Sequence, residues 1–338
     1  MHFDNRHPPR SAARRVALGG LAGSLALLLA PTTLRAQGPG LLAVHARGST
    51  SLPAMPRRVA VYDLAALDIL QALGVEVAGV PKTRFPSHLA GYEAERYAKI
   101  GTLFEPDYGA LKALRPDLII CGSRSANKFQ DLSAVAPTID LSTSTASFLP
   151  SVVRNMLLLG RIFDRQALAA ARAEQMLTAV AALQARGAKA GQGLLLFVAG
   201  QGASPQAPQT RFGILYELIG IAPAVTAADL PAASSRGQAA QDEAERQLQA
   251  EQRAAQLASL LVQRKPDWLF VLDRNAATGG QAVAEQLLAS NVAVTGTPAW
   301  RRQQVVYLNA PDWYLVGGGV SVIEKTVAQV GAAFGSAG

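Results

Sequence analysis

The alternation of apolar and polar stretches along the chain predicts strands that alternate with helices. Residues 57–81 read as a buried strand, a helix with an apolar stripe over Leu64–Leu73, and a second strand, with Gly74 ending the helix. Residues 108–124 repeat this order as a helix, a Pro-Asp break, a short apolar strand and a turn. Because strands that alternate with helices pair in parallel, we predict an α/β fold with parallel sheets.

The same unit returns in the second half of the chain. The segment RKPDWLFVLDR at 264–274 parallels LRPDLIICGSR at 114–124, and in both an Arg stands seven residues after the Asp. The segment LYELIGIAPAV at 215–225 likewise parallels LQALGVEVAGV at 70–80, a helix closed by Gly and followed by an extended stretch. Two copies of one α/β unit predict two similar lobes.

The stretch between the two copies predicts a helical connector. Residues 164–190 begin with about two dozen Ala-, Leu-, Gln- and Arg-rich positions without Pro or Gly, which favours one continuous helix. At 1.5 Å per residue such a helix is roughly 36 Å long, enough to bridge two lobes. We therefore predict an export signal, an N-terminal α/β lobe, a connecting helix and a C-terminal α/β lobe over 1–36, 37–163, 164–190 and 191–338.

The start of the chain predicts export from the cytoplasm. A basic stretch, RSAARR, precedes an apolar run of about fifteen residues and the segment PTTLRAQ, which offers a cleavage point after Ala36. The run is short for a membrane span. The pair Arg14-Arg15 leaves Sec and twin-arginine export both open, and no Cys follows the run, so we expect no lipid anchor. The mature protein is predicted to be soluble and periplasmic.

Composition and charge exclude several classes of function. Removing the five Arg and one Asp of residues 1–36 halves the formal net charge of +8, and no dense Lys/Arg tract remains to grip nucleic acid. Neither a dinucleotide-binding glycine pattern nor a P-loop is found, which argues against an enzyme. Beyond residue 36 the histidines are His45, interpreted as packing, and His88, interpreted as a surface residue at a helix start. Cys121 reads as a small buried hydrophobe.

Three arginines are the strongest candidates for a binding site. Arg124 and Arg274 each follow the carboxyl end of a predicted parallel strand, where open α/β sheets bind ligands. Arg211 follows the loop AGQGASPQAPQT, which is rich in Gly, Pro, Ser and Gln. Three convergent guanidinium groups would suit a multiply charged, planar anion.

Six segments in order resemble one known family over about residues 42–333. The chain is similar to class III periplasmic substrate-binding proteins of ABC importers, in the ferric-siderophore branch and nearest its catecholate (enterobactin/petrobactin-type) binders. The resemblance implies two Rossmann-like lobes joined by a long backbone helix. It also implies a monomer that captures a ferric siderophore between the lobes and delivers it to an inner-membrane permease. Iron would arrive in the ligand, so no intrinsic cofactor is expected. The segments are VHARGSTSLPAMPRRVAVYDLAALDILQALGV, YAKIGTLFEPDYGALKALRPDLIICGSR, APTIDLS, TRFGILYELIGI, KPDWLFVLDR and PDWYLVGGG.

The resemblance also implies roles for particular side chains. Three positions match arginines that contact the ferric catecholate, and Tyr314 matches a tyrosine that coordinates iron in some members. The loop PDWYLVGGG at 311–319 is then the rim of the second lobe rather than a phosphate loop, with its glycines allowing close backbone approach. The residues expected to contact the ligand are Arg124, Arg211, Arg274, Tyr314, Trp313, Lys82 and Arg84.

The chain departs from the family pattern in two places. Where relatives carry a His-Gly-Gln segment, this chain has Arg236-Gly237-Gln238, followed by a helical insert at about 239–256. A His/Tyr pair around iron is therefore doubtful, and Arg236 is expected to add a positive charge.

The resemblance implies acidic residues that dock the permease, and here too the chain departs from the pattern. Gly109 stands where relatives have a docking Glu, so Glu105 or Asp107 is expected to substitute. Glu217 matches the second-lobe docking acid, although a simple solvated charge explains it equally well.

Other carriers of this fold remain as alternatives. A zinc or manganese carrier would need several histidines and an acid together, which this chain lacks. A cobalamin carrier would need aromatic packing with fewer cations. A haem carrier is the main alternative, because Tyr can ligate haem iron and Arg can hold propionates.

Overall fold

The computed structural model describes residues 40–230 and 243–336, so the predicted signal segment lies outside the described residues. The described chain opens with an antiparallel hairpin in which Leu41 pairs with Leu52. His45 ends its first strand with a buried side chain that packs against Phe129, and burial lowers the pKa of its ring. The interpretation of His45 as a packing residue is confirmed. The two strands are β1 (Leu41–His45) and β2 (Gly48–Leu52).

A five-stranded parallel sheet follows, with spatial order β5-β4-β3-β6-β7. Its central strands are apolar and buried on both faces, as expected where helices cover a parallel sheet. Cys121 ends one of them fully buried, and burial raises the pKa of its thiol. The strands are β3 (Val59–Val61), β4 (Gly79–Val80), β5 (Ala98–Lys99), β6 (Leu118–Cys121) and β7 (Thr138–Asp140).

The helices of this first sheet begin and end at recognisable capping residues. Asp63 accepts a hydrogen bond from the backbone N–H of Ala66 at 2.8 Å, and Gly74 takes a left-handed φ of 67° just after the helix. The predicted helix over Leu64–Leu73 is thus confirmed to within one residue, whereas the strand predicted after it has two residues only. The helices are α1 (Leu64–Ala72), a 3₁₀ segment (Ser87–Glu93), α2 (Tyr108–Leu114), a 3₁₀ turn (Ala126–Lys128) and α3 (Phe129–Ser133).

Two successive helices connect the first sheet to the second. They are α4 (Phe148–Ile162) and α5 (Gln166–Gly187), and the chain turns between them at Asp164, whose φ is 54°. The predicted helix over 164–190 therefore begins and ends slightly inside those bounds. At 1.5 Å per residue, the 22 residues of α5 span roughly 33 Å. Helix α5 packs against α4 and against the last helix of the chain.

The second sheet also has five strands, in the order β10-β8-β11-β12, with β9 antiparallel to β8. Its centre is β8 beside β11, where Leu195 pairs with Phe270 in parallel register. The apolar segment WLFVLD is buried along its whole length, as its composition predicts. The strands are β8 (Gln192–Ala199), β9 (Gly202–Gln206), β10 (Ala222–Pro223), β11 (Trp268–Asp273) and β12 (Val305–Tyr307).

Helices of very different length surround the second sheet. The insert predicted at 239–256 is helical from residue 243 onward, where the structure again describes the chain, and this helix continues to Arg264. The helices are α6 (Ile214–Ile219), a 3₁₀ turn (Ala227–Asp229), α7 (Glu243–Arg264), α8 (Arg274–Ala277), α9 (Ala284–Ala289), α10 (Val292–Thr295), α11 (Pro298–Arg301) and α12 (Val320–Ser336).

A π-helical turn, Asp312–Val316, joins β12 to α12 and carries the sequence DWYLV. The glycines after it allow close approach, as predicted. Gly317 has a left-handed φ of 57°, and a Cβ at Gly319 would lie 2.5 Å from a carboxylate oxygen of Asp68. The segment expected to be a tight loop is a compact π-helical turn followed by glycines that pack against α1. We refer to residues 312–316 as the rim turn.

The prediction of a mixed α/β fold with parallel sheets is confirmed. The described residues belong to one compact unit, and the boundaries drawn at 163 and 190 stay a prediction. Within the described ranges, no helix combines the length and the apolar character needed to cross a bilayer.

Candidate ligand-binding site

A cleft of about 420 Å³ opens at the carboxyl ends of strands of the first sheet. Its lining comes from the residues after β3 and β6 of the first sheet, from the segment before α6, and from the rim turn. This is the edge at which parallel α/β sheets bind ligands. The residues whose chemistry matters here are Asp63, Arg124, Arg211, Phe212, Trp313 and Tyr314.

Two of the predicted arginines reach the same backbone carbonyl. Arg124 donates from Nη1 to the carbonyl of Leu315 at 3.1 Å and from Nη2 to the carbonyl of Tyr314. Arg211 donates from Nη2 to the carbonyl of Tyr314 at 2.9 Å. A guanidinium has five N–H groups, and these hydrogen bonds use only some of them. Both arginines therefore keep donors available to a ligand.

The third predicted arginine reaches the Tyr314 side chain. Arg274 is the first residue of α8, directly after β11, and its side chain lies close enough to the phenol of Tyr314 to lower the pKa of that group. The repeat position that Arg274 shares with Arg124 thus brings both arginines to one residue from different sheets. Arg274 is exposed, and it does not line the cleft described above.

Tyr314 belongs to an aromatic stack. Its ring lies 5.9 Å from that of Phe212 and 6.3 Å from that of Phe197, and those two rings are 4.9 Å apart. The Arg211 guanidinium lies 4.8 Å from the centres of both Phe212 and Tyr314. Such cation–π contacts hold the guanidinium flat against the rings and leave its edge for a ligand.

The concentration of positive charge changes the ionisation of these groups. Burial lowers the pKa of Arg124, and the neighbouring charge of Arg211 lowers it further. Burial alone would raise the pKa of Tyr314, but the neighbouring positive charges of Arg274, Arg211 and Arg124 lower it overall. The phenol is thereby biased toward phenolate, a hard oxygen donor.

Asp63 is a cleft residue that the sequence reasoning missed. It caps α1, and its carboxyl lies close enough to Arg124 to feel that charge. Burial raises the pKa of the Asp63 carboxyl, while the Ala66 N–H and Arg124 act in the opposite direction. A signal was present in the sequence, since an Asp directly after a buried strand and before a helix both caps the helix and faces the ligand edge.

The other predicted ligand contacts take different positions. Trp313 lines the cleft but is buried, and its indole N–H donates to Thr326 Oγ1 at 3.0 Å, so it anchors the rim turn on α12. Lys82 is exposed and does not line the cleft. Arg84 reaches across to the carbonyl of Gly279 at 3.4 Å, which joins the loop after β4 to the second sheet. Arg236 lies outside the described residues.

The predicted docking acids differ in what they contact. Glu217 accepts backbone hydrogen bonds from Phe148 and Leu149 at 3.1 and 2.9 Å, so it caps α4 rather than standing free in solvent. Glu105 is 70% exposed and pairs with Lys128 at 2.8 Å. Asp107 is exposed and caps α2. Docking by these residues stays a prediction.

His88 is the clearest correction to the sequence reasoning. It starts a 3₁₀ segment, but its side chain is only 12% exposed and lies between two buried carboxylates. Nε2 is 3.0 Å from Asp68 Oδ1, and Nδ1 is 3.3 Å from Asp312 Oδ1. The sequence around His88 does not identify this contact, because Asp68 and Asp312 lie far apart along the chain.

In the part of the chain that the structure describes, no group of three or more His, Cys, Asp or Glu side chains is arranged to hold a metal ion.

The comparisons with known proteins establish the family. The periplasmic binding protein family matches residues 59–311, and this chain belongs to it. It is 30% identical over 287 residues to the petrobactin-binding protein YclQ of Bacillus subtilis, with 84% of each chain covered. It is 27% identical over 292 residues to the ferric-anguibactin-binding protein FatB of Vibrio anguillarum, with 85% of each covered. These relatives are named as binding proteins, not as enzymes.

Solved structures agree with the family assignment. The crystal structure of YclQ superposes with a TM-score of 0.75 at 28% identity, covering 87% of this chain and 98% of that one. The catecholate-siderophore binding protein VctP of Vibrio cholerae gives a TM-score of 0.73 at 25% identity, covering 87% and 99%. The resemblance to class III periplasmic binding proteins is therefore confirmed.

Proposed function

We propose that this protein is the solute-binding component of an ABC importer and captures a ferric siderophore, catecholate or mixed-ligand, in the cleft. The observation that carries the proposal is the convergence of Arg124, Arg211 and Arg274 on Tyr314. Among the ion pairs of the described residues, none involves these three arginines. Charge left unpaired at a cleft is suited to an anionic ligand.

The chemistry of a ferric catecholate matches these groups. A tris-catecholate complex of Fe(III) carries about three negative charges on its oxygens, which suit charged N–H donors. Its rings are flat and aromatic, and they can pack beside the stack of Phe197, Phe212 and Tyr314. The cleft volume of about 420 Å³ lies in the ordinary range for small-molecule sites.

The relatives support the same ligand class. YclQ is named for petrobactin, FatB for ferric anguibactin and VctP for catecholate siderophores. All three match this chain over most of its length. The names favour a siderophore ligand over the haem alternative.

Tyr314 is our candidate for direct contact with iron. A phenol whose pKa is lowered by surrounding arginines gives up its proton to Fe(III) more readily than an ordinary tyrosine. The histidine that accompanies this tyrosine in relatives is replaced by Arg236 in our sequence reading. We therefore infer that Tyr314 is the protein's own iron ligand where the siderophore leaves a position open.

We further infer a periplasmic, monomeric protein that hands its ligand to an inner-membrane permease. Membership of the periplasmic binding protein family supports this location. Export by a cleaved signal over 1–36 remains part of the proposal. Glu105 and Asp107 are the exposed acids available for docking near α2.

A ligand panel tests the proposal. Purified protein is titrated with a ferric tris-catecholate, ferric citrate, haemin and the iron-free catecholate, with tryptophan fluorescence as the readout. We expect saturable quenching with the ferric catecholate at the lowest concentration and weaker binding of the iron-free form. Tight binding of haemin without binding of any ferric siderophore would overturn the assignment.

A further inference from the structure

The side chain of His88 is surrounded by charged groups from both halves of the chain. Asp68, on α1, is fully buried and faces Nε2, while Asp312, at the start of the rim turn, is 2% exposed and faces Nδ1. Lys325 of α12 lies 3.1 Å from the other oxygen of Asp312. We call these four residues, Asp68, His88, Asp312 and Lys325, the rim clamp.

The two neighbouring carboxylates favour the charged form of the His88 ring. A neutral imidazole has one N–H and one lone pair, so one of its nitrogens would turn a lone pair toward a carboxylate. Both ring nitrogens lie within ion-pair distance of a carboxylate, at 3.0 Å from Asp68 and 3.3 Å from Asp312, so the two acids stabilise the positively charged, doubly protonated ring. Burial lowers the pKa of His88, but its interactions with Asp312 and Asp68 outweigh burial and raise it to about 9. The clamp then holds two negative and two positive charges.

Further contacts fix the clamp in place from every side. The backbone N–H of Ser321 donates to Asp68 Oδ2 at 2.9 Å, and Gln71 donates to the carbonyl of His88 at 3.0 Å. Tyr92 lies near enough to Asp68 for that charge to contribute to its raised pKa, behind burial and the effects of Tyr97 and Glu76. Elements of the first sheet thus meet α12 and the rim turn at a single imidazole.

The rim turn carries the binding residues directly after Asp312. Trp313 is hydrogen-bonded to α12, and Tyr314 presents its carbonyl to Arg124 and Arg211. Asp312 and Trp313, the two residues directly before Tyr314, are thus both held by side-chain contacts. Asp68 of α1 is thereby connected, through His88 and Asp312, to Tyr314, which lies two residues further along the chain.

We propose that His88 is a positioning residue that ties α1 to the rim turn and so fixes Tyr314 among the arginines. The tie itself is independent of what the cleft binds, whereas its effect on ligand affinity rests on the proposed function. His88 touches no ligand in this account. It acts through Asp312 on the residues that do.

The first test uses the unmodified protein, so no variant can fail to fold. Histidine labelled with ¹⁵N is followed by NMR as the pH is raised from 6 to 11, and His45 serves as an internal reference because burial lowers its pKa. We expect both ring nitrogens of His88 to keep their protons well above the ordinary value of 6.5 and to lose one near pH 9. Deprotonation of His88 at or below 6.5 would overturn the proposal.

A second test reads the rim turn itself. Fluorine-labelled tryptophan gives separate ¹⁹F signals for Trp313 and for Trp268, which is buried in β11. In His88→Gln at neutral pH we expect the Trp313 signal to move and the Trp268 signal to stay. The control His45→Gln should leave Trp313 unchanged. An unmoved Trp313 signal in folded His88→Gln would contradict a positioning role.

Ligand binding separates failure of the clamp from failure of the function. We expect His88→Gln to bind a ferric tris-catecholate about tenfold more weakly than the unmodified protein at one pH, a difference of about 1.4 kcal/mol. Equal affinity of the two proteins would overturn the positioning role. If neither protein binds a siderophore while the Trp313 signal still moves, the proposed function is wrong and the clamp stands.

Discussion

Two charge clusters lie on either side of the rim turn, and they are built in opposite ways. Around Tyr314, three arginines gather, and none of the described ion pairs involves them. Around His88, two carboxylates face one imidazole and one ammonium, so charges cancel. Asp63 lies near Arg124, but burial raises the pKa of its carboxyl. The raised pKa favours the neutral acid and so weakens the ability of Asp63 to balance the charge of Arg124. The protein balances charge where it joins its halves and leaves charge unbalanced where a ligand can supply the counter-charge.

The largest expected effect comes from breaking the balanced cluster. Asp68→Ala leaves His88 without one of its buried partners, and removing one member of a buried ion pair costs about 3 kcal/mol or more. We expect that loss in the free energy of unfolding measured with urea. The matched control is Glu324→Ala, which breaks the surface pair with Arg172 and should cost less than about 1 kcal/mol. Equal losses of unfolding free energy in the two variants would contradict the expected difference between the buried pair and the surface pair.

A substitution in the unbalanced cluster should weaken ligand binding rather than lower the stability of the fold. Arg211→Ala removes a donor and a cation–π contact from the cleft, so we expect binding of a ferric catecholate to weaken by about 1.5–3 kcal/mol. The free energy of unfolding should change little, since no ion pair is broken. Arg57→Ala is the control, because Arg57 is exposed and lies just before the amino end of β3, at the opposite end of that strand from the cleft. If Arg211→Ala lowers the free energy of unfolding and leaves the ligand affinity unchanged, Arg211 serves stability and not ligand binding.

The pH dependence of stability distinguishes the clusters further. Because the pKa of His88 is raised from 6.5 to about 9 on folding, its contribution is complete below pH 6.5 and is lost as the pH rises through about 9. We expect the unmodified protein to lose thermal stability over that window and His88→Gln to lose less. Parallel curves for the two proteins would show that His88 carries no such linkage.

The smallest expected effect concerns Glu217, which joins neither cluster. Its carboxylate accepts two backbone N–H groups at the start of α4, so Glu217→Gln should cost about 1 kcal/mol of unfolding free energy. Asp107→Asn, at the cap of the shorter helix α2, is the comparison. An unchanged stability would free Glu217 for the docking role that the sequence suggests.

The sequence predicted the parts of the site that repeat or follow strand ends. Arg124 and Arg274 share a repeat position, and Tyr314 belongs to a recognisable motif, so the approach of both arginines to Tyr314 could be foreseen. The rim clamp could not, since Asp68 and Asp312 meet only after both halves have folded. One local sign existed: Asp68 stands in the apolar stripe of α1, where a buried carboxylate needs a partner. Nothing in the sequence around His88 identified that partner.

The central claim is that unbalanced arginines recognise the negative charge of a ferric siderophore. The most direct measurement compares the affinity for a ferric tris-catecholate, with about three negative charges, with that for an uncharged ferric tris-hydroxamate. Both are measured in the unmodified protein and in the Arg124→Ala/Arg211→Ala double variant. Our account predicts a preference of at least about a hundredfold for the catecholate that largely disappears in the variant. Equal affinities for the two complexes in the unmodified protein would contradict it.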